Sequence, residues 1–163
     1  MDTQILSTAY HEAGHAVFAW MFGIRIRKVT AVPSKVGEGN TAYDDTPPLP
    51  KDFHQRVAWL ALAGGNAQRR FLNGVNIDEI QNCSSPSDRA AALLANVQTF
   101  GDLLDLENRV NATLEREDVW AAISEVANLL VEVTELSGQQ IAAICERHID
   151  RDGVQYNIST TNP

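Results

Sequence analysis

The 163 residues, 44% of them hydrophobic, suffice for one domain that buries a sizeable core and folds alone. Thirteen basic against twenty-one acidic residues leave a net charge of −8 with no Lys/Arg run interleaved with aromatics, which argues against nucleic acid as a partner. The apolar run at 16–24 is too short to span a bilayer, and Cys83 and Cys145 stand apart, so the expectation is a cytoplasmic chain with no membrane segment and neither a disulfide framework nor a cysteine zinc site.

A first helix is expected over 7–22, beginning a few residues earlier. Ile5, Ala9, Ala13, Ala16, Val17 and Trp20 recur at helical spacing as one core-facing stripe, and Gly23 stops the helix. Residues 24–32 alternate apolar with polar types and read as a half-buried strand ended by Pro33. Residues 37–45, with Thr41, Ala42 and Tyr43 at the middle, read as a second short strand before Pro47-Pro48-Leu49-Pro50 forbids regular structure. This pair is the only β signal. A helix follows over 51–72, carrying Val57, Leu60, Ala61, Ala67 and Phe71 and ending at Asn73-Gly74. Gly64-Gly65 in its interior cost about 1 kcal/mol each relative to alanine, which implies either close approach of another helix or a break there.

Residues 75–84 read as a loop, and Ser85-Pro86 opens a third helix that runs to about Phe100 before Gly101-Asp102 punctuates it. Two or three more helices fill 103–150, one running through Val119, Ile123, Val126 and Leu130 and the last capped by Ser137. The expected fold class is mainly α (α+β), with a small two-stranded β element between the first two helices. Residues 1–150 form the single domain, and 151–163 a flexible tail.

Within the first helix, His11-Glu12-Ala13-Gly14-His15 makes the pattern H-E-x-x-H. Histidines four apart share a helix face with Cβ atoms about 5–6 Å apart, which lets two imidazole nitrogens reach one Zn²⁺ at about 2.0–2.1 Å. Glu12, roughly 100° around the helix, can take a proton from a metal-activated water. All three are expected beside the core-facing stripe. A catalytic zinc wants a third protein ligand and an open position. The metzincin offsets hold Phe18 and Met21, so that answer is excluded, and His54, Asp78, Glu79, Asp88, Glu107 and His148 remain as donors that spacing alone does not separate. By position, three residues after Ser85, Asp88 reads first as the closing member of a capping box, and Cys83 as a plain loop thiol.

Residues 9–17, containing Tyr10-His11-Glu12-Ala13-Gly14-His15-Ala16, resemble the active-site helix of the peptidase domain of FtsH-type ATP-dependent zinc proteases, where "YHEAGHA" is nearly a signature. Lys28-Val29-Thr30-Ala31-Val32-Pro33 is similar to that family's "KVTIIPRG" strand, Gly39-Asn40-Thr41-Ala42-Tyr43 falls at its substrate-side edge strand, and Ala63-Gly64-Gly65-Asn66-Ala67 resembles its "GGRAAEE". Ser87-Asp88 resembles the "SND" that supplies an aspartate ligand, and Leu136-Ser137-Gly138-Gln139-Gln140-Ile141 its closing helix start. The resemblance implies a helical zinc-peptidase fold in which His11, His15 and Asp88 bind one Zn²⁺ and Glu12 is the general base. It also implies that Asn40, Thr41, Ala42 and Tyr43 bind substrate and that the glycine-pair helix packs on the motif helix. The chain departs from the family at Arg69 and Arg70, which stand where two glutamates are usual and would remove any carboxylate supporting the ligands, and in the loop 73–87.

The sequence therefore points to a zinc metalloendopeptidase acting on peptides or unfolded protein. It carries no phosphate-binding glycine-rich loop, so the expectation is action without an ATPase of its own, compatible with a homo-oligomer and with a separate ATPase or delivery partner. Two alternatives accompany it: a regulatory peptidase specific for one repressor-type protein, and a non-catalytic zinc-binding or interaction domain, the latter motivated by Arg69-Arg70.

Overall fold

Helix α1 (Thr3–Met21) is the hub of the computed structural model, which describes residues 3–31, 39–44, 53–74 and 100–150. The remaining elements are β1 (Ile26–Ala31), β2 (Gly39–Tyr43), α2 (Phe53–Gly74), α3 (Phe100–Leu114), α4 (Glu117–Val133), β3 (Glu135–Ser137) and α5 (Gly138–His148). The mainly helical class with a small sheet is as expected. The stripe is not: between Ser7 and Met21 every residue except Thr8 and His11 is buried, because α2, α4, α5 and the sheet cover α1 on all sides. Ala9, Ala13, Ala16, Val17 and Phe18 are fully enclosed. Gly23 ends the helix in the left-handed region, at φ 71°.

The sheet has three antiparallel strands in the order β2-β1-β3, not two. Val29 pairs with Thr41 on one side and with Leu136 on the other. The third strand is only Glu135-Leu136-Ser137 and lies between two helices, too short to carry a periodic signal of its own. The register slips between Ile26 and Lys28, the one place where the alternation of β1 breaks with two successive basic residues, Arg27-Lys28. This bulge restores the phase, so that Val29 and Ala31 are buried.

Helix α2 is continuous through Gly64-Gly65, which settles the alternative in favour of close approach. A Cβ at Gly14 of α1 would stand 2.7 Å from the Ala63 carbonyl oxygen and 2.8 Å from the Ala67 Cβ. Val119, Ile123, Val126 and Leu130 of α4 are fully buried, and Ser137 caps α5 through a reciprocal pair of bonds with Gln140. Gly101 and Asp102 lie inside α3 instead of punctuating a helix; near a helix start, where N–H groups lack intrahelical partners anyway, glycine interrupts little. The expected third helix at 85–100 falls, up to residue 99, outside the described residues, as do the loop at 75–84 and the tail at 151–163. No helix among the described residues is long and apolar enough to cross a membrane.

Candidate metal centre

The site is built where two helices meet along ridges spaced four residues apart. Ser7, His11 and His15 form the ridge of α1; Leu60, Gly64 and Gln68 form that of α2. His15 meets Leu60 and Gly64 while His11 and Ser7 meet Gln68, so the ridges run antiparallel.

His15 Nδ1 lies 2.7 Å from the Leu60 carbonyl oxygen. A carbonyl only accepts, so Nδ1 carries the proton and donates it. His11 Nδ1 lies 3.1 Å from Gln68 Oε1, while Gln68 Nε2, on the other side of the amide, donates to Ser7 Oγ at 2.7 Å. Both rings thus present Nε2 as the lone-pair nitrogen, and the two Nε2 atoms face each other at 3.1 Å. In this form the two lone pairs converge on one point, where a cation would be held between them. Nitrogens about 2.0–2.1 Å from one tetrahedral metal stand about 3.3–3.4 Å apart, so this donor pair fits a zinc-type ion with little adjustment.

The absence of a side chain at Gly64 makes room for the pair. A Cβ there would lie 2.4 Å from His15 Nε2, on the very atom that faces His11. The glycine that the sequence marks as costly in a helix is the one that leaves this nitrogen uncovered.

Glu12 points elsewhere. It is 6% exposed and faces β2, where the Thr41 hydroxyl donates to Glu12 Oε2 at 2.8 Å and stands 3.2 Å from the Glu12 carbonyl oxygen. A Cβ at Gly39 would meet Glu12 Cγ at 2.4 Å, so the strand backbone rests directly on the carboxylate arm. Imidazoles and carboxylate therefore occupy neighbouring faces of one helix, one supported by α2 and the other by β2.

Of the expected substrate residues, Thr41 joins this site. Asn40 is exposed and pairs with Thr30, while Ala42 and Tyr43 continue the strand opposite Lys28 and Ile26. The sheet order leaves the outer edge of β2 without a partner strand among the described residues. Asp78, Glu79, Cys83 and Asp88 lie outside the described residues, as does the side chain of His54. Among the described residues no third histidine, cysteine or carboxylate completes a metal-binding group with His11 and His15. Glu107 is bonded to Arg69 at 3.0 Å, and His148 to Glu125 at 2.6 Å. The His148 hydrogen bond, opposed by burial and assisted by Arg147, holds the Glu125 carboxyl below the usual glutamate range.

Arg69 and Arg70 tie α2 to its neighbours. Arg69 bonds Glu107 of α3, and the Arg70 guanidinium bonds the Leu114 carbonyl and lies 4.3 Å above the Trp120 ring. Trp120 stacks in turn on Tyr10, beside His11, and Tyr10 on Phe71. Gln68, Ser7 and the Leu60 carbonyl are the partners that sequence reasoning missed. Their signal is the shared spacing of four, readable only once the register between the two helices is known. No protein-family model and no curated protein matches this chain.

Proposed function

We propose that this chain is a zinc metallopeptidase of the FtsH peptidase type that hydrolyses bonds in peptides or unfolded protein segments in the cytoplasm. The observation that carries the reading is the convergence of His11 and His15 Nε2 at 3.1 Å, each ring pinned through Nδ1, beside a buried glutamate on the same helix. His11 and His15 would hold the ion, with Asp88 as third ligand. When bound, zinc supplies a Lewis acid that acidifies water and polarises a peptide carbonyl. Glu12 accepts the proton of the attacking water and passes it to the departing amine nitrogen, so the C–N bond breaks with the amine leaving neutral. Thr41 fixes one oxygen of that carboxylate and restricts its rotation. An extended substrate would add to the outer edge of β2 through main-chain hydrogen bonds, a mode tolerant of sequence.

The arginine pair that motivated a non-catalytic reading is engaged with Glu107, Leu114 and Trp120, while Gln68 supports His11, which favours a working centre. The test is zinc content per chain together with cleavage of an unfolded protein by the parent and by Glu12→Gln. One zinc per chain and a loss of about 10²–10⁴-fold in the variant, with zinc retained, are expected. Stoichiometric zinc without Glu12-dependent cleavage would overturn the peptidase reading.

A further inference from the structure

We propose that Gln68, anchored by Ser7, is a positioning residue that fixes the His11 ring in its Nδ1–H form and thereby sets the affinity of the chain for zinc. This rests on the reading of His11 and His15 as ligands. The two histidines have unlike outer partners. The His15 acceptor is a main-chain carbonyl, which the fold of α2 supplies whatever residue stands at position 60. The His11 acceptor is a side-chain amide, and an amide presents either an acceptor or a donor depending on which way it is turned.

Ser7 engages the amide in the orientation that turns its oxygen to His11. It is 7% exposed, and its hydroxyl oxygen lies 2.7 Å from Gln68 Nε2, so the amide nitrogen is satisfied on the side away from His11. Turned the other way, Gln68 would present N–H to Nδ1 and leave the proton on Nε2, the atom that must bind the metal. Outer partners of ligating histidines orient the ring and raise its basicity, and their loss typically costs 10–100-fold in metal affinity. A neutral amide polarises imidazole less than a carboxylate does, so this position is not set for maximal affinity. Arg69, the next residue, is engaged with Glu107 and supplies no acceptor to His11.

The test measures zinc affinity by competition with a chromophoric chelator, using the full chain, and needs no substrate. Gln68→Met keeps the length of the side chain and removes the acceptor; affinity should fall about 10–100-fold. Gln68→Glu restores an acceptor and should bind at least as tightly as the parent. Ser7→Ala, which removes the partner of the amide nitrogen, should fall between Gln68→Met and the parent. In the zinc-free parent, long-range ¹H–¹⁵N spectra should place the His11 proton on Nδ1, and in Gln68→Met that preference should be lost. A purely structural role for Gln68 would weaken Met and Glu variants alike, so equal loss in both overturns the proposal, as does parent-like affinity in Gln68→Met. If Gln68→Met fails to fold, the Ser7→Ala and Gln68→Glu affinities still decide. A parent that takes up no zinc overturns this assignment and the peptidase reading together; a zinc-binding parent indifferent to Gln68→Met overturns this assignment alone.

Discussion

His11 and His15 face a helix, whereas Glu12 faces a strand, and the two supports differ in burial and in redundancy. On the helix side, each imidazole has its own acceptor, α2 is tied by Arg69 to α3, and a Cβ at position 14 would meet the Ala63 carbonyl while one at position 64 would meet the His15 ring. On the strand side, Glu12 relies on one hydroxyl from a strand at the edge of a three-stranded sheet, with every residue of that strand at least partly accessible. In the proposed mechanism the difference suits the two tasks. Ligands must hold one geometry through the cycle, while a proton carrier must move between the water and the departing amine.

The largest effect should come from filling the helix side. Gly64→Ala places a methyl group 2.4 Å from His15 Nε2, so the ring must turn away from His11. Zinc affinity should drop by about 100-fold or more, with cleavage lost in parallel. Overpacking against the His15 ring costs the metal-free chain about 1–3 kcal/mol, and the helix propensity gained by alanine returns about 1 kcal/mol, so urea unfolding should show a net loss of at most about 2 kcal/mol. Unchanged zinc affinity would show that the helix contact is looser than the strand contact, reversing the comparison.

The two sides were not equally legible in the sequence. The helix side could largely be read from the sequence: H-E-x-x-H puts two imidazoles on one face by periodicity alone, and two glycines in a helix interior imply either a close neighbour or a break. What periodicity lacks is register between helices, so Gln68 and Leu60 stayed invisible as partners although both lie on a ridge with Gly64. The resemblance directed attention to the next two positions, Arg69 and Arg70, which bond Glu107 and the Leu114 carbonyl instead of the histidines. On the strand side the two longer strands could be read, and even the bulge is written in Arg27-Lys28. The third strand could not: Glu135-Leu136-Ser137 is extended because it pairs with Lys28, Val29 and Thr30, an interaction between segments more than a hundred residues apart. Thr41 stood among the residues marked for substrate, yet its hydroxyl is turned inward to Glu12.

A smaller effect is expected from Thr41→Val, which keeps the shape of the side chain and removes the hydroxyl. A hydrogen bond to a carboxylate is worth about 1.5 kcal/mol or more, so turnover should fall by roughly 10-fold with zinc affinity at the parent value. Thr41→Ser should recover most of the loss. Reduced zinc affinity in Thr41→Val would mean that the strand supports the ligands as well as the base, and the division between the two sides would fail.

The smallest effect concerns how the sheet itself is held. Thr134, which links α4 to β3, has φ 63° and its carbonyl accepts from the Ala31 amide at 3.0 Å, tying the end of β1 to this turn. A β-branched residue in the left-handed region costs of order 1 kcal/mol or more, and glycine does not incur it. The Thr134 side chain is exposed, and both of its backbone bonds, to Leu130 and to Ala31, survive substitution. Glycine also enlarges the freedom of the unfolded chain, which offsets part of the gain. Thr134→Gly should therefore raise stability by about 0.5 kcal/mol, read as a higher midpoint in urea, with zinc affinity and the Thr41 effect unchanged. A lower midpoint would mean that the Thr134 hydroxyl or methyl holds the β1–β3 junction, and the strand side would then be more firmly supported than one hydroxyl implies.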